Sequence, residues 1–236
     1  MMPSNRGFSL HLLLLEVLHK LKIRVGIKTR NLGYMACLSL AVLLASRTAL
    51  AGATLQDGVT LSRSDYDYAP STMINDGPTR MWWCGGTGSG DAVYYSTYTT
   101  SGWTTPQIVL TKSPTGWDSA HACDPSVVKG SFSYNGTNYA YAMYYSGTDN
   151  SIGYNTRIGV AFSNDGVNWV KYSGNPIISP SATSTQKYGA GMQTAYRASG
   201  TNSNITLAYY DETNTTSGVI YKMTSTDGKP FQTEQQ

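Results

Sequence analysis

Carboxylates are scarce in this chain, and a few of them fall where they could work together. Of its 14 Asp and Glu residues, 13 follow residue 51, and only Glu212 and Glu234 of those are glutamates. Cys123-Asp124-Pro125-Ser126 sets an acid at the head of an apolar run, with His121 three residues earlier. Pro125 cannot give a ladder hydrogen bond, which suits the end or edge of a strand. A second pair of acids lies in Ser64-Asp65-Tyr66-Asp67-Tyr68. Strand alternation sends both to one face, and Asp67 is preferred because it is nearer the following strand. Glu212 follows Asp211 at the end of an aromatic run. Two carboxyl groups facing one another in a cavity support general acid–base chemistry, one protonated as acid and one ionised as base or nucleophile. Each also has a plainer reading: a turn cap for Asp124, an exposed acidic turn for Asp65 and Asp67, a solvated loop acid for Glu212.

Other chemistries are less well supplied. Residues 1–51 hold seven of the 17 basic residues and one acid, Glu16, followed by an uncharged stretch whose apolar heart runs from Met35 to Ala45, then Ala49-Leu50-Ala51. This is the pattern of an export leader, and cleavage is expected after Ala51, with a start codon downstream of Met1 also consistent. The apolar run is shorter than the roughly 18 to 20 residues of a membrane span. Without the leader the net charge becomes −3, from 10 basic and 13 acidic residues. No Lys/Arg cluster remains to bind phosphate, so nucleic acid is not an expected partner. A secreted or periplasmic location is expected, without membrane attachment after cleavage. Cys84 and Cys123 remain, and either a disulfide or two half-buried thiols fits. With His121 the only histidine left, thiolate metal binding lacks ligands, and no metal or cofactor is expected.

The elements that would position these residues show as a repeat. Met81-Trp82-Trp83-Cys84-Gly85, Met143-Tyr144-Tyr145-Ser146-Gly147 and Ala208-Tyr209-Tyr210-Asp211-Glu212 align without gaps at spacings of 62 and 65 residues. Each is followed by a second strand and then a turn, Asn164-Asp165-Gly166 and Thr226-Asp227-Gly228 in the clearer copies. A shorter segment precedes each: residues 68–74, 123–128 and 191–196. A weaker strand, Gln107 to Leu110 or Pro176 to Ile178, would complete four strands per unit. Radially repeated four-stranded meanders make an all-β propeller, with blades over about residues 65–120, 121–187 and 188–236. A β-sandwich does not explain one motif order recurring at a fixed period.

Asp-Pro-Ser opening a unit, an aromatic strand ending Tyr-Tyr-Ser-Gly, and Ile-Gly-Val-Ala-Phe-Ser-Asn-Asp-Gly-Val-Asn-Trp resemble the five-bladed propeller glycosidases, the arabinanase/xylosidase-like family 43 and the β-fructosidase-like family 32 glycoside hydrolases. The resemblance spans roughly residues 65 to 236. It implies a catalytic Asp on the first blade, an orienting Asp on the second and an acid Glu on the third, all directed into the axial cavity. Asp124 matches the second. Ala69 stands in register with it on the first blade, where Asp67 is the nearest candidate. Tyr188-Gly-Ala-Gly-Met-Gln-Thr194 has no carboxylate, leaving Glu212 as the candidate acid. His121, Gln193, Trp82 and Trp83 are candidate sugar contacts, with Trp117 a further aromatic, although aromatics at strand spacing are also what a blade core requires. Five such blades need about 300 residues, so a piece of a longer ring is expected. The readings are a secreted glycoside hydrolase, a carbohydrate-binding propeller that lost its acid, and a truncated remnant. Asn135, Asn204 and Asn214 match the glycosylation sequon and read equally as turns.

Overall fold

The computed structural model of the chain describes Leu61 and residues 63–73, 76–182, 186–197, 204–212, 218–229 and 232–233. The expected leader and its cleavage site, Asn214, Phe231 and Glu234 lie outside them. Among the described residues there is no helix, and hence none long and apolar enough to cross a membrane.

Aromatic and β-branched alternation becomes strand throughout. The first sheet holds β1 (Asp67–Met73), β2 (Arg80–Gly86), β3 (Asp91–Thr99), β4 (Gly102–Trp103) and β5 (Gln107–Thr111), with β4 and β5 both pairing β3. The second runs in chain order through β6 (His121–Tyr134), β7 (Thr137–Thr148), β8 (Arg157–Ser163) and β9 (Val170–Lys171). The third does the same through β10 (Ala190–Arg197), β11 (Ile205–Asp211), β12 (Val219–Ser225) and β13 (Gln232–Thr233). All the strand pairs are antiparallel, and the three meanders are propeller blades. The β6–β7 hairpin turns on Asn135-Gly136, both at positive φ (49° and 72°), the conformation of a two-residue type I′ turn.

One edge differs from expectation. Gln107 to Leu110 forms β5, but the second blade is closed by Val170–Lys171 rather than by residues 176–178, which add a single bridge, Ile158 to Ile178. Pro176 has no N–H to offer a ladder. Beside it the Asn175 side chain occupies both backbone groups of Val160, accepting from its N–H and donating to its C=O, each at 2.9 Å.

The core lies between blades. Alternation along β7 sends Met143 and Tyr145 into a cluster with Trp82, Val93 and Leu110 of the first sheet. Tyr144 faces the other way, with Ile205, Leu207 and Tyr209 of the third. The repeated turns join the blades by the same contact. Ser163 and Ser225 accept from Gly166 N–H and Gly228 N–H at 2.9 Å each. The Gly166 carbonyl accepts from Trp82 Nε1 of the preceding blade at 2.8 Å, and the Gly228 carbonyl from Tyr144 Oη at 3.2 Å. Trp82 and Tyr144 are equivalent residues of the repeat, so its period encodes the blade-to-blade seam as well as the strands.

A buried ion pair holds the same seam. Asp118, 1% exposed, accepts from Lys171 Nζ at 2.6 Å and Tyr145 Oη at 3.1 Å. Lys171 also donates to the Thr111 carbonyl at 2.7 Å. Substituting Lys171→Met leaves a carboxylate buried without its counter-charge. The expected loss is about 3–5 kcal/mol in urea unfolding, and a loss under 1 kcal/mol would mean that Asp118 is compensated by other groups.

Candidate functional site

The inner strands β1, β6 and β10 lie side by side and share an unusual local geometry. Each carries a register shift against its neighbour, at Tyr68/Ser71, Cys123/Ser126 and Gly191/Thr194. In each shift one non-glycine residue sits at positive φ: Ala69 at 48°, Asp124 at 50° and Met192 at 52°. A bulge of this kind re-aims a side chain and suits a functional position. The following serine of the first two strands ties one blade to the next, Ser71 Oγ accepting from Val127 N–H at 3.1 Å and Ser126 Oγ from Ala195 N–H at 2.8 Å. Thus the Pro-Ser part of the motif does structural work while the residue ahead of it is turned out of the ladder.

Of the three bulge residues only Asp124 is ionisable, and it lines a pocket of about 240 Å³ together with Tyr68, Asp91, His121, Ser146 and Tyr188. Part of Asp124 opens to the pocket, but the protein packed around its carboxyl group removes enough water to push its pKa above the ordinary carboxyl value. Hydrogen bonds with Ser146 and Tyr188 oppose that rise, and the charge of Asp91 adds to it. Tyr188 Oη donates to Asp124 Oδ2 at 3.2 Å. Burial, then the charge of Asp124, raises the Tyr188 phenol well above its usual range.

The second carboxylate of the pocket is Asp91, at the start of β3. It accepts from Tyr66 Oη and, at 3.3 Å, from Tyr68 Oη, and faces His121 Nδ1 at 3.0 Å. The bond to Asp91 pushes the Tyr66 phenol up to about 12. Burial, followed by the charges of Asp124 and Asp91, raises that of Tyr68 further. His121 Nε2 meets the Ser151 carbonyl at 3.3 Å, so the ring bridges Asp91 to the β7–β8 loop.

The structure therefore brings Asp124 and His121 together and places the other sequence candidates elsewhere. Asp67 Oδ1 accepts from Arg63 Nε at 2.8 Å and Trp83 Nε1 at 2.6 Å, outside the pocket lining. Asp65 caps backbone N–H groups of Tyr66 and Gly88. Glu212 accepts from Tyr188 N–H at 3.1 Å and pairs with Lys187 at 3.5 Å, bracing the start of the third blade behind Tyr188. Gln193 is buried, accepting from Ser146 Oγ at 3.0 Å and donating to the carbonyls of Asp124 and Tyr144, which pins the second blade to the third. Trp82 and Trp83 are 0% and 3% exposed, and Trp117 packs on Tyr145. The exposed aromatic ring at the pocket is Tyr68 instead, 43% exposed. Asp91 was invisible to sequence reasoning because its partners are 23 to 30 residues away.

Cys84 and Cys123 form a disulfide joining β2 to β6, with Cα atoms 5.1 Å apart. Their sulfurs lie within 4.8 Å of an Asp91 oxygen, a spacing that metal ligands could share. Bonded to one another, the sulfurs offer no thiolate, and the cluster does not suit a metal in this state.

No protein-family model and no curated protein sequence matches the chain. Solved structures do. A thermostable family 43 glycoside hydrolase is similar with a TM-score of 0.52 and 17% identity, over 75% of this chain and 60% of its own. A family 117 glycoside hydrolase from the marine bacterium Zobellia galactanivorans gives 0.55 and 13%, over 78% and 59%. The Bombyx mori family 32 β-fructofuranosidase gives 0.52 and 17%, over 86% and 42%. The chain thus spans about 40–60% of the length of these structures. At such identities the likeness is one of fold: three antiparallel blades arranged as in the five-bladed propeller glycoside hydrolases.

Proposed function

We propose that the chain acts on carbohydrate as an exported, glycoside hydrolase-like propeller, with a sugar residue seated in the Asp124 pocket. The observation that carries the reading is that two carboxyl groups in unlike surroundings open onto one pocket. Hydrolysis of a glycosidic bond uses such a pair, one kept protonated to serve the leaving oxygen and one acting as acceptor or nucleophile. Asp124, desolvated and raised, is suited to carry the proton. Asp91, an acceptor toward two phenols and His121, is suited to the second role. Asp91 here takes the part that the sequence suggested for Asp67, and Glu212 acts behind Tyr188. The disulfide agrees with an oxidising compartment outside the cytoplasm.

Incubation with arabinan, xylan, levan and inulin is expected to release reducing sugar from at least one. Folded protein that releases none from any of them, or from their oligosaccharides, overturns the hydrolytic reading. Tyr68 presents the exposed ring on which a sugar face can rest, so Tyr68→Ala should raise KM about 3- to 10-fold with little change in kcat. An equal fall in kcat would instead place Tyr68 in the chemistry.

A second reading, sugar binding without turnover, is favoured by Ala69 and Met192. They occupy the bulge positions equivalent to Asp124 and bring no ionisable group. If it holds, the unaltered protein binds oligosaccharide without cleaving it, and the double variant Ala69→Asp, Met192→Glu is where turnover should first emerge.

A further inference from the structure

The junction between the first two blades holds a cluster that neither the fold nor the pocket chemistry requires. Cys84, Asp91 and Cys123 are anchored on three different strands, β2, β3 and β6, and one ligand-type atom from each lies within 4.8 Å of the other two. Ladder pairing fixes the three backbones, Cys84 against Val93, Asp91 against Gly86 and Cys123 against Ser146. Both cysteines are buried, and the Asp91 side chain is 10% exposed. A tetrahedral zinc, with bonds of about 2.3 Å to sulfur and about 2.1 Å to oxygen, sets neighbouring ligand atoms about 3.6–3.8 Å apart. A disulfide holds its sulfurs too close for that and leaves them uncharged. Reduction removes both obstacles. With the Cα atoms 5.1 Å apart, the freed side chains can part to the ligand spacing by rotating about χ1 while the strands stay in place.

Support and access are also built in. The Asp91 carboxylate has about four acceptor positions, of which Tyr66, Tyr68 and His121 occupy three, leaving one for an ion. Hydrogen bonds to a ligating carboxylate hold it in place, so the two phenols and the imidazole form the outer support that metal sites use. Asp91 and Cys123 both line the pocket, which gives an ion a path from solvent and a water for the fourth position. Asp91 is thus the third ligand that composition alone did not reveal.

We propose that reduction of Cys84–Cys123 converts this junction into a site for one thiophilic divalent cation of the zinc type, held by both thiolates, Asp91 and a water. Disulfide and metal are then alternative closures of the same seam, whatever the pocket binds. A phosphine reductant opens the bond by supplying two electrons and taking the oxygen of a water molecule to become a phosphine oxide. The two hydrogens of that water end on the sulfurs, and binding of the cation releases them as protons.

The test uses the full chain, reduced with a phosphine, freed of excess reductant without oxygen, and titrated with Co²⁺ as a spectroscopic probe and then with Zn²⁺. One Co²⁺ per chain should bind with thiolate-to-metal charge-transfer absorption, and Zn²⁺ should displace it. The disulfide form should bind at least about 100-fold more weakly and without that absorption, since it offers no thiolate. Asp91→Asn should weaken binding by about 10- to 100-fold while the thiolate absorption persists. Zinc should also raise the melting temperature of the reduced protein and leave that of the disulfide form unchanged, because only an ion that prefers the folded state stabilises it. No cobalt uptake by the reduced chain, equal affinity in the two forms, or undiminished affinity in Asp91→Asn overturns the inference. So does a reduced chain that zinc leaves unfolded, and each of these outcomes leaves the carbohydrate reading standing.

Discussion

Asp124→Asn is expected to lower turnover about 10²- to 10⁴-fold while making the folded protein more resistant to heat at neutral pH. On the proposed mechanism the loss is that of a general acid, since asparagine fills the same volume and still accepts from Tyr188 but has no acidic proton to transfer. The gain follows from linkage. Burial raises the carboxyl pKa in the folded chain above its unfolded value, so the folded state holds this proton more tightly. That contribution to stability is fully present below the unfolded value and is lost as pH rises through the raised folded value. Aspartate is therefore a liability above that window, and asparagine removes it. Thermal unfolding across a pH series should show the two proteins diverging upward through the window, with the variant higher. Equal melting temperatures at every pH would show that the site does not strain Asp124, and undiminished turnover would remove it from the chemistry. A functional group that costs stability where it acts is the usual signature of a site.

The disulfide carries the next largest effect. Cys84 and Cys123 are 39 residues apart, and closing a loop of that length restricts the unfolded chain enough to contribute about 4 kcal/mol to stability. The double replacement Cys84→Ser, Cys123→Ser should lower the melting temperature by about 10 °C for a domain of this size. Activity should fall at temperatures where the protein is still folded, because Cys123 is the residue before Asp124 and its bond anchors the bulge to the first blade. Reduction of the unaltered protein should reproduce both effects. A change in melting temperature under 2 °C would show that blade packing alone holds this junction.

How much of this was legible beforehand differs between seam and site. Trp82, Tyr144 and Tyr209 announce themselves by their spacing, and with them the strands, the sheet order and the alternation that buries both faces of β7. Local chemistry singled out Asp124 as well, because an acid before Pro-Ser is a short-range pattern, although it lies at a bulge inside β6 rather than at the head of the strand. Other parts were beyond such patterns. Trp83 looks like a sugar platform in sequence and is in fact closed over by Leu61 and Tyr94. Gln193 looks like a ligand contact and is used up joining blades. The closing edge of the second blade is Val170–Lys171, continued by Tyr172 N–H to the Val160 carbonyl that the Asn175 side chain shares, while residues 177–178 reach only Ile158, a division that the spacing along the chain does not reveal.

By itself, then, the sequence determined the repeat and the all-β blades, and it singled out Asp124 as a candidate, because strand periodicity and turn chemistry act between near neighbours. Only the tertiary structure decided which carboxylate accompanies Asp124. Asp91, His121 and Tyr68 come from β3, β6 and β1, and their meeting depends on how two blades pack. The same packing withdrew Asp67 and Glu212 by supplying each with nearer partners, an outcome of geometry that spacing along the chain does not encode.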